Sequence, residues 1–380
     1  MAILVGLLKE NRWKSSYPLV SKVLFTMAER LGSSFMVEKI TAVDTVATIR
    51  QKLWKIHTQS LIRGIVIFGS DVPVPRVWRK GATEDKGIAD MIYGNLTNSW
   101  KDIDGDGYFD EEEMPINYIQ DSWVCRWIPE SINYTPNWFG MIFGKKDFNT
   151  KLGTWYKKVL KAQQLVLPLK SAVVIVDTSM SDWSVHLESI KENVTEYLGE
   201  IRNEWTAPYQ ATESLGNLET RKYWCESNVG MIYFKGHSNS FGVGDFKGNM
   251  AFKVLRSNLG PTLLVVFGCE VGEWDKPLSA FGDYRGFIGN VLNPQCGENA
   301  TTAILASGTI QGGAGQDNRI GSSLHPMITG MSLFDFMKTS VCFGDAVRKW
   351  IQYGINDCGA PMAVTFAAMS IFGDPTLIWN

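Results

Sequence analysis

The chain has 380 residues, of which 45% are hydrophobic and 20% charged, which is enough apolar side chain for one large α/β domain or two smaller ones. The formal net charge of −2 gives no overall field that favours nucleic acid or an anionic membrane, and no apolar run approaches the roughly 20 residues of a membrane span. Residues 1–8 are too short an apolar stretch, too soon followed by charge, for a secretory signal, so we expect a cytoplasmic protein or a chain without its export signal.

Strand-like and helix-like segments alternate in the first part of the chain. The pattern predicts a strand at 2–8, a helix at 18–32, a strand at 34–40, a helix at 43–57 and a buried strand at 62–69. A long irregular stretch, rich in Trp, Asn, Gly, Asp and Pro, then runs from about 77 to 149. Loops of this length inside a compact domain are usually functional or tied by a metal ion.

The alternation resumes in the second part. It predicts a strand at 171–178, a helix at 183–199, and further strands at 230–236, 262–268 and 301–308. Strands that alternate with helices indicate a mainly parallel sheet flanked by helices. We therefore predict an α/β fold with two side-by-side subdomains, residues 1–150 and 151–380.

The acidic segment at 102–113, DIDGDGYFDEEE, has the spacing of a calcium-binding loop. Oxygen ligands are expected at loop positions one, three, five, seven, nine and twelve, with a glycine at position six, which is Gly107 here. The predicted ligands are the carboxylates of Asp102, Asp104, Asp106, Asp110 and Glu113 and the carbonyl of Tyr108.

The flanks of this loop are poor helices, and Pro115 blocks a helix after it. The pattern therefore favours a structural calcium clamp over an opening sensor, with calcium as the expected cofactor. The other interpretation is a solvated acidic turn, although so many neighbouring acids would repel one another without a cation.

Two predicted strands end in the same way. MIYFKG is followed by His237, and LLVVFG is followed by Cys269. Because ligands collect beyond the carboxyl ends of parallel strands, neighbouring strands would bring the imidazole and the thiol to one edge of the sheet. Taken alone, a single His or Cys at a strand end is more often structural than catalytic.

Together the two side chains point to nucleophilic catalysis. The thiolate is the reactive form of cysteine, and a nearby histidine can take the thiol proton and later protonate a leaving amine. The backbone N–H groups of Ser238 and Cys269 follow strand ends, where they are candidates for an oxyanion hole. The six cysteines show no CxxC pair, which argues against a zinc knuckle. The sequence also has no Walker-type loop, which argues against nucleotide binding.

These residues resemble the gingipain-type cysteine peptidases of the caspase-like clan. The resemblance rests on MIYFKGHSNSFG, on VVFGCEVGEW, on TTAILASGTIQGG, and on FGDPTLIW at 372–379, which is similar to the strand that closes the peptidase unit. It covers most of the chain and is weakest over residues 1–60. It implies a gingipain-like fold, with His237 as general acid and base and Cys269 as nucleophile.

The sequence departs from the family pattern at two places. Ser238 follows the histidine where the family usually has Gly, and QGG at 311–313 stands where basic-specific members carry a pocket Trp. Such members use a pocket carboxylate, for which Asp182 is a candidate. Asp177, at a predicted strand end, could equally orient His237 as a third catalytic residue.

The sequence thus predicts a calcium-stabilised cysteine endopeptidase that acts on protein or peptide substrates, with no nucleic-acid partner. The alternative is a non-catalytic calcium-binding interaction module with a degenerate peptidase fold. A calcium-rich environment and the habit of the family favour a secreted or cell-surface location, with the cytoplasm as the alternative.

Overall fold

The computed structural model describes the greater part of the chain, and every structural statement below concerns that part. The described residues are 2–79, 85–97, 109–110, 118–128, 148–164, 171–177, 200–207, 230–236, 238–239, 242–243, 246–247, 263–269, 271–272, 274, 287–292, 301–307, 333–358 and 366–378.

Among the described elements, strand and helix alternate over the first 68 residues, and the later strands are separated only in part by described helices. The strands are β1 (Ile3–Lys9), β2 (Ser34–Ile40), β3 (Ile62–Phe68), β4 (Arg76–Arg79), β5 (Asp85–Ile88), β6 (Phe109–Asp110), β7 (Trp123–Trp127), β8 (Ser171–Asp177), β9 (Glu200–Ala207), β10 (Met231–Lys235), β11 (Ser238–Asn239), β12 (Gly242–Val243), β13 (Phe246–Lys247), β14 (Leu263–Phe267), β15 (Ala303–Ser307) and β16 (Met369–Gly373). The α-helices are α1 (Glu10–Arg30), α2 (Val46–Gln59), α3 (Phe148–Gln164), α4 (Phe287–Leu292), α5 (Leu333–Thr339) and α6 (Phe343–Cys358), and a 3-10 helix covers Asp90–Gly94.

Ten of these strands form one sheet in the order β2-β1-β3-β7-β16-β15-β14-β10-β8-β9. Within this order β15 and β16 pair antiparallel, and the other neighbouring strands run parallel. The last strand, β16, lies between a strand from each half of the chain. Two small sheets, β5-β4-β6 and β11-β12-β13, complete the described strands.

Side chains alternate between two buried clusters along the strands of the second half. Tyr233 and Val265 join the larger cluster, which includes side chains of α5 and α6, and their neighbours Phe234 and Val266 join a smaller cluster with α4. This period of two is expected for strands that are covered on both faces. Both faces of the sheet behind the candidate site are therefore packed.

The predicted helix at 43–57 is observed as α2, which begins after an N-cap at Thr45. The Thr45 side chain accepts a hydrogen bond from the Thr48 backbone N–H, and the Thr48 side chain accepts one from the Thr45 N–H. This reciprocal cap moves the start of the helix to Val46 because it satisfies backbone donors that have no partner within the helix.

The predicted helix at 18–32 begins earlier than expected. Helix α1 starts at Glu10, directly after β1, and Pro18 lies inside it. A proline within a helix leaves a carbonyl without its usual donor, but Pro18 is exposed, so water can serve that carbonyl.

The prediction of one irregular stretch from 77 to 149 was wrong. It contains β7, which is buried and pairs with β3 and β16 in the middle of the large sheet. Strand β7 has the sequence WVCRW, and its arginine masked the apolar run that marks a buried strand. That charge is neutralised within the fold, as described below.

Two strands of the second half also differ from the prediction. The strand β9 was not predicted. The closing strand was expected at 372–379, but β16 ends at Gly373 and a turn follows. There Asp374 accepts hydrogen bonds from the backbone N–H and the hydroxyl of Thr376, and Pro375 has no N–H for a sheet ladder.

The predicted helix at 183–199 lies outside the described residues. The predicted subdomain boundary near residue 150 falls at the start of α3, and the division into two subdomains stays a prediction. Among the described helices, none is both long enough and apolar enough to cross a membrane.

Candidate active site

The two strands that precede the predicted catalytic residues are neighbours. Strands β10 and β14 pair in parallel, from Met231 opposite Leu263 to Lys235 opposite Phe267. The pairing continues for one more bond, because the Gly236 N–H donates to the Phe267 carbonyl at 3.1 Å. The chain therefore leaves both strands at the same edge of the sheet and at the same level.

The turns after these strands are also linked to each other. The Ser238 hydroxyl donates a hydrogen bond to the Cys269 carbonyl at 2.8 Å. His237 lies outside the described residues, but both of its neighbours in the chain are described. Gly236 and Ser238 each bond to the segment that carries Cys269.

Gly268 is required by this close approach of two backbones. A Cβ atom at position 268 would overlap the Ser238 Oγ atom and would lie 2.8 Å from the Gly236 carbonyl oxygen. Rotation of the Ser238 side chain alone would not make room for this Cβ atom, because the Gly236 carbonyl oxygen is part of the backbone. A glycine at this position lets the two turns touch.

The Cys269 thiol is partly exposed and is not part of a disulfide. Two other described cysteines, Cys125 and Cys342, are buried. Burial raises the pKa of the Cys125 thiol well above its ordinary value, and burial together with Asp345 raises the pKa of Cys342 to about 12. Those two thiols stay protonated and unreactive at neutral pH, whereas Cys269 is accessible to a substrate or reagent.

The turn after Cys269 is anchored in the smaller buried cluster. Val271 and Trp274 are buried there beside α4 residues Phe287 and Ile288. The Trp274 N–H donates to the Gly272 carbonyl at 3.0 Å, which closes a tight turn. This anchoring limits the movement of the segment that carries the thiol.

A buried arginine from the first half of the chain lies over this tryptophan. The Arg126 guanidinium is 5.3 Å from the centre of the Trp274 ring. It donates from Nε and Nη2 to the two carboxylate oxygens of Asp90, at 2.7 Å each, and Arg126 and Asp90 are both fully buried. Its remaining donors bond to the carbonyls of Gly69, Val72 and Pro73, so a single side chain ties loops of the first half to the turn after Cys269.

Lys235 is a second buried cation near the site, and sequence reasoning missed it. It is 3% exposed, and among the described residues its Nζ atom has no hydrogen-bond partner. Burial lowers its pKa from 10.5 to about 8. The signal in the sequence was the single lysine that interrupts the apolar run MIYFKG immediately before the histidine.

The remaining predicted site residues are placed only in part. Asp177 is the last residue of β8, whose Val176 pairs with Lys235, so its backbone lies at the same edge of the sheet. Asp182 lies outside the described residues, as do Asp102, Asp104, Asp106, Tyr108 and Glu113. Asp110 is in β6 and pairs with Trp78 of β4. Within the described residues no group of three or more His, Cys, Asp or Glu could hold a metal ion.

Comparison with known proteins bears on the family and the fold of the chain. The model of peptidase family C25 matches residues 14–380. The structure is similar to that of the Arg specific cysteine proteinase gingipain R (RgpB), with a TM-score of 0.68 and 14% identity over 100% of this chain and 78% of that chain. It is also similar to a complex of the pro- and mature domains of Porphyromonas gingivalis RgpB, with a TM-score of 0.69, 14% identity, and coverage of 100% and 80%.

No curated protein sequence matches the chain. At 14% identity, the similarity to the two solved structures shows a shared fold. The predicted gingipain-like α/β fold is thereby confirmed.

Proposed function

The chain belongs to peptidase family C25, and on this premise we propose that it is a cysteine endopeptidase in which Cys269 is the nucleophile and His237 the general acid and base. The observation that carries the proposal is the pair of bonds between the turns. Gly236 and Ser238, on either side of His237, bond to Phe267 and Cys269.

The reaction follows from these groups. His237 takes the thiol proton, and the Cys269 sulfur attacks the carbonyl carbon of the scissile peptide bond. The oxygen gains a negative charge, which the backbone N–H groups of Ser238 and Cys269 stabilise. The bond to nitrogen then breaks, His237 protonates the leaving amine, and a thioester remains.

Water completes the cycle. His237 removes a proton from the water molecule that attacks the thioester, and a second oxyanion collapses to release the carboxylic acid and the Cys269 thiolate, which takes a proton back from His237.

The role of Asp177 as an orienting group for His237, or of Asp177 or Asp182 in a substrate pocket, is part of the proposal. Mutation of each aspartate to asparagine separates the two roles, because loss of an orienting group lowers kcat for all substrates.

The experiment that tests the function is alkylation combined with peptide cleavage. Iodoacetamide near neutral pH should label Cys269 much faster than Cys125 or Cys342, and Cys269→Ala should abolish both cleavage and this labelling while the fold is retained. Cys342→Ala is the matched control, because it removes a buried thiol and should keep activity. If Cys269 reacts no faster than the buried cysteines, the alternative of a non-catalytic binding module is favoured.

We also propose that the segment 102–113 binds calcium and that the protein works outside the cytoplasm. Carboxylate and carbonyl oxygens at this spacing are the ligands that calcium prefers. Asp102, Asp104, Asp106, Asp110, Glu113 and the Tyr108 carbonyl would hold the ion, which would supply structural cross-linking rather than chemistry. Fractionation of cells that express the protein would test its location, and recovery only in the cytosol would contradict export.

A further inference from the structure

The Arg126 guanidinium is bonded at each of its three nitrogens. Nε and Nη2 donate to the Asp90 carboxylate, Nη2 also donates to the Pro73 carbonyl, and Nη1 donates to the carbonyls of Gly69 and Val72. A guanidinium has five N–H donors in one rigid plane, so every donor has an acceptor here. The group is fully buried and cannot move without breaking several bonds at once.

Trp274 packs against this fixed group. The centre of its ring is 5.3 Å from the Arg126 guanidinium, and the residue is 6% exposed, so water does not compete with the attraction between cation and ring. Trp274 follows Cys269 by five positions, and Val271 between them is buried in the same cluster. The Trp274 N–H donates to the Gly272 carbonyl at 3.0 Å. A shift of the ring would therefore be passed to the thiol through a short, hydrogen-bonded turn.

The first half of the chain also supplies apolar packing to this turn. Ile88 and Ile128 belong to the same buried cluster as Val271 and Trp274, and Val74 packs against it. Each of the three first-half residues lies one or two positions from the guanidinium or from a group that bonds to it. The turn that carries the thiol thus rests on side chains of the first half, although its own strand, β14, belongs to the second.

Stability alone does not require an ion pair at this place. Two apolar side chains of the same volume are often as stable as a buried pair of charges. An arginine with all its donors bonded has one orientation, whereas an apolar side chain can adjust its position. Catalysis by orientation needs reacting groups that are held within about 0.5 Å of the productive geometry. The Arg126 side chain therefore suits a role in positioning.

We propose that Arg126 is a positioning residue for the peptidase reaction, which acts through Trp274 on the turn that carries Cys269. This rests on the proposed function of Cys269. Asp90 and the loop at 69–73 hold the guanidinium, the guanidinium holds the indole ring, and the ring sets where the thiol lies relative to the scissile carbonyl. The first half of the chain thereby influences the rate of a reaction whose nucleophile belongs to the second half.

Variants of Trp274 provide the first test, because they leave the pair of Arg126 and Asp90 intact. In Trp274→Leu, kcat for a peptide substrate should fall roughly tenfold, and KM should change less than about twofold. Trp274→Phe keeps an aromatic face beside the guanidinium and should restore part of the rate. Both are measured at a temperature at which circular dichroism shows a folded protein.

Trp155→Leu is the matched control, because it removes another buried indole from the core. The Trp155 Nε1–H donates to the carbonyl of Thr302, directly before β15, which places this contact at the edge of the sheet opposite Cys269. The control should lower the melting temperature, as Trp274→Leu does, but should leave kcat unchanged. A general loss of stability would affect both variants alike.

A double-variant cycle tests the role of Arg126 itself. Arg126→Lys keeps a cation for Asp90 but cannot fill the same fork of acceptors, and kcat should fall about fivefold. Arg126→Lys combined with Trp274→Leu should lower kcat no further than Trp274→Leu alone, because both changes act through one contact. If Arg126→Lys does not fold, Trp274→Leu still decides, since an unchanged kcat removes the route by which Arg126 would act.

The outcomes separate the two proposals. If iodoacetamide labels wild-type Cys269 no faster than the buried Cys125 and Cys342, the proposed function fails. If Cys269 is reactive but Trp274→Leu loses no more kcat than Trp155→Leu, the positioning role of Arg126 is overturned. The same holds if the double variant shows the product of the two single losses.

Discussion

The Ser238 hydroxyl donates a 2.8 Å hydrogen bond to the Cys269 carbonyl and so joins the chain that follows β10 to the turn that contains the thiol. In the family pattern that the sequence resembles, this position after the histidine is usually glycine. A serine at this position has less backbone freedom than a glycine, but its hydroxyl forms a direct hydrogen bond to the Cys269 carbonyl. Such a link holds two groups from different loops at a fixed separation, which favours reaction by orientation.

Loss of this link should slow catalysis without abolishing it. Ser238→Ala and Ser238→Gly should each lower kcat about fivefold, the equivalent of one ordinary hydrogen bond, with little change in KM. Ser238→Thr keeps the hydroxyl and should retain more activity. Steady-state kinetics on one peptide would check this, and equal kcat values for Ala and wild type would contradict the role of the hydroxyl.

Gly268→Ala should damage both stability and activity. The new methyl group would overlap the Ser238 Oγ atom, and overpacking of this kind typically costs about 1–3 kcal/mol. Urea unfolding and peptide cleavage would measure the two effects. Because Ser238 is part of the clash, the double variant Gly268→Ala with Ser238→Gly should regain part of the lost stability; a simple sum of the two single effects would argue against direct contact.

The buried pair of Arg126 and Asp90 should matter far more to stability than an exposed pair. Arg126→Met leaves Asp90 as an uncompensated buried charge, and we expect a loss of about 3–5 kcal/mol in the free energy of unfolding. Arg12→Met breaks the partly exposed pair with Asp71 and should cost about 1 kcal/mol or less. Chemical denaturation of both variants would measure the two losses in the free energy of unfolding. Similar losses for Arg126→Met and Arg12→Met would contradict the prediction.

Because of Lys235, the free energy of unfolding should change with pH in the alkaline range. Its pKa is about 8 in the fold and 10.5 for the unperturbed group, so between these values the unfolded chain binds a proton that the native state does not. Stability contributed by this residue therefore rises as pH rises from about 8 to 10.5, by up to about 3 kcal/mol. Urea unfolding of wild type and Lys235→Met across this range should show the difference shrinking, and a constant difference would exclude the shift.

Removal of calcium should lower the thermal stability if the segment 102–113 binds it. At a free calcium concentration about 100 times the Kd, binding adds about 2.7 kcal/mol to the free energy of unfolding. A chelator should therefore lower the melting temperature measurably. Asp104→Asn should reproduce the effect and weaken calcium binding by calorimetry. Glu111→Gln lies at a non-ligand loop position and should behave as wild type; equal behaviour of the two variants would point to a solvated acidic turn.

The parts of this fold that the sequence predicted are those with strong local signals. Strands β10 and β14 are unbroken apolar runs that end in glycine, so both the strands and the residues after them could be found. Their adjacency was a condition of the interpretation, and the observed pairing of the two strands meets it. The capping of α2 by Thr45 changed only where that helix begins.

The parts that were missed depend on contacts between distant residues. Strand β7 was hidden because Arg126 interrupts it, and the partners that make this arginine acceptable come from 36 to 57 positions earlier in the chain. The bond from Ser238 to Cys269 spans 31 positions. No local pattern records such pairings, whereas the buried Lys235 was marked only by its position inside an apolar run.

The position of β16 has a consequence for how the chain acquires its structure. During synthesis, β7 and β15 remain open edges until residues 369–373 emerge, because only this strand fills the space between them. The bond from Arg30 to Asp374, 344 positions apart, forms at the same late stage. Assembly of the two halves is thus a slow, long-range closure, and chains that stop before it would present unpaired strands to one another and aggregate.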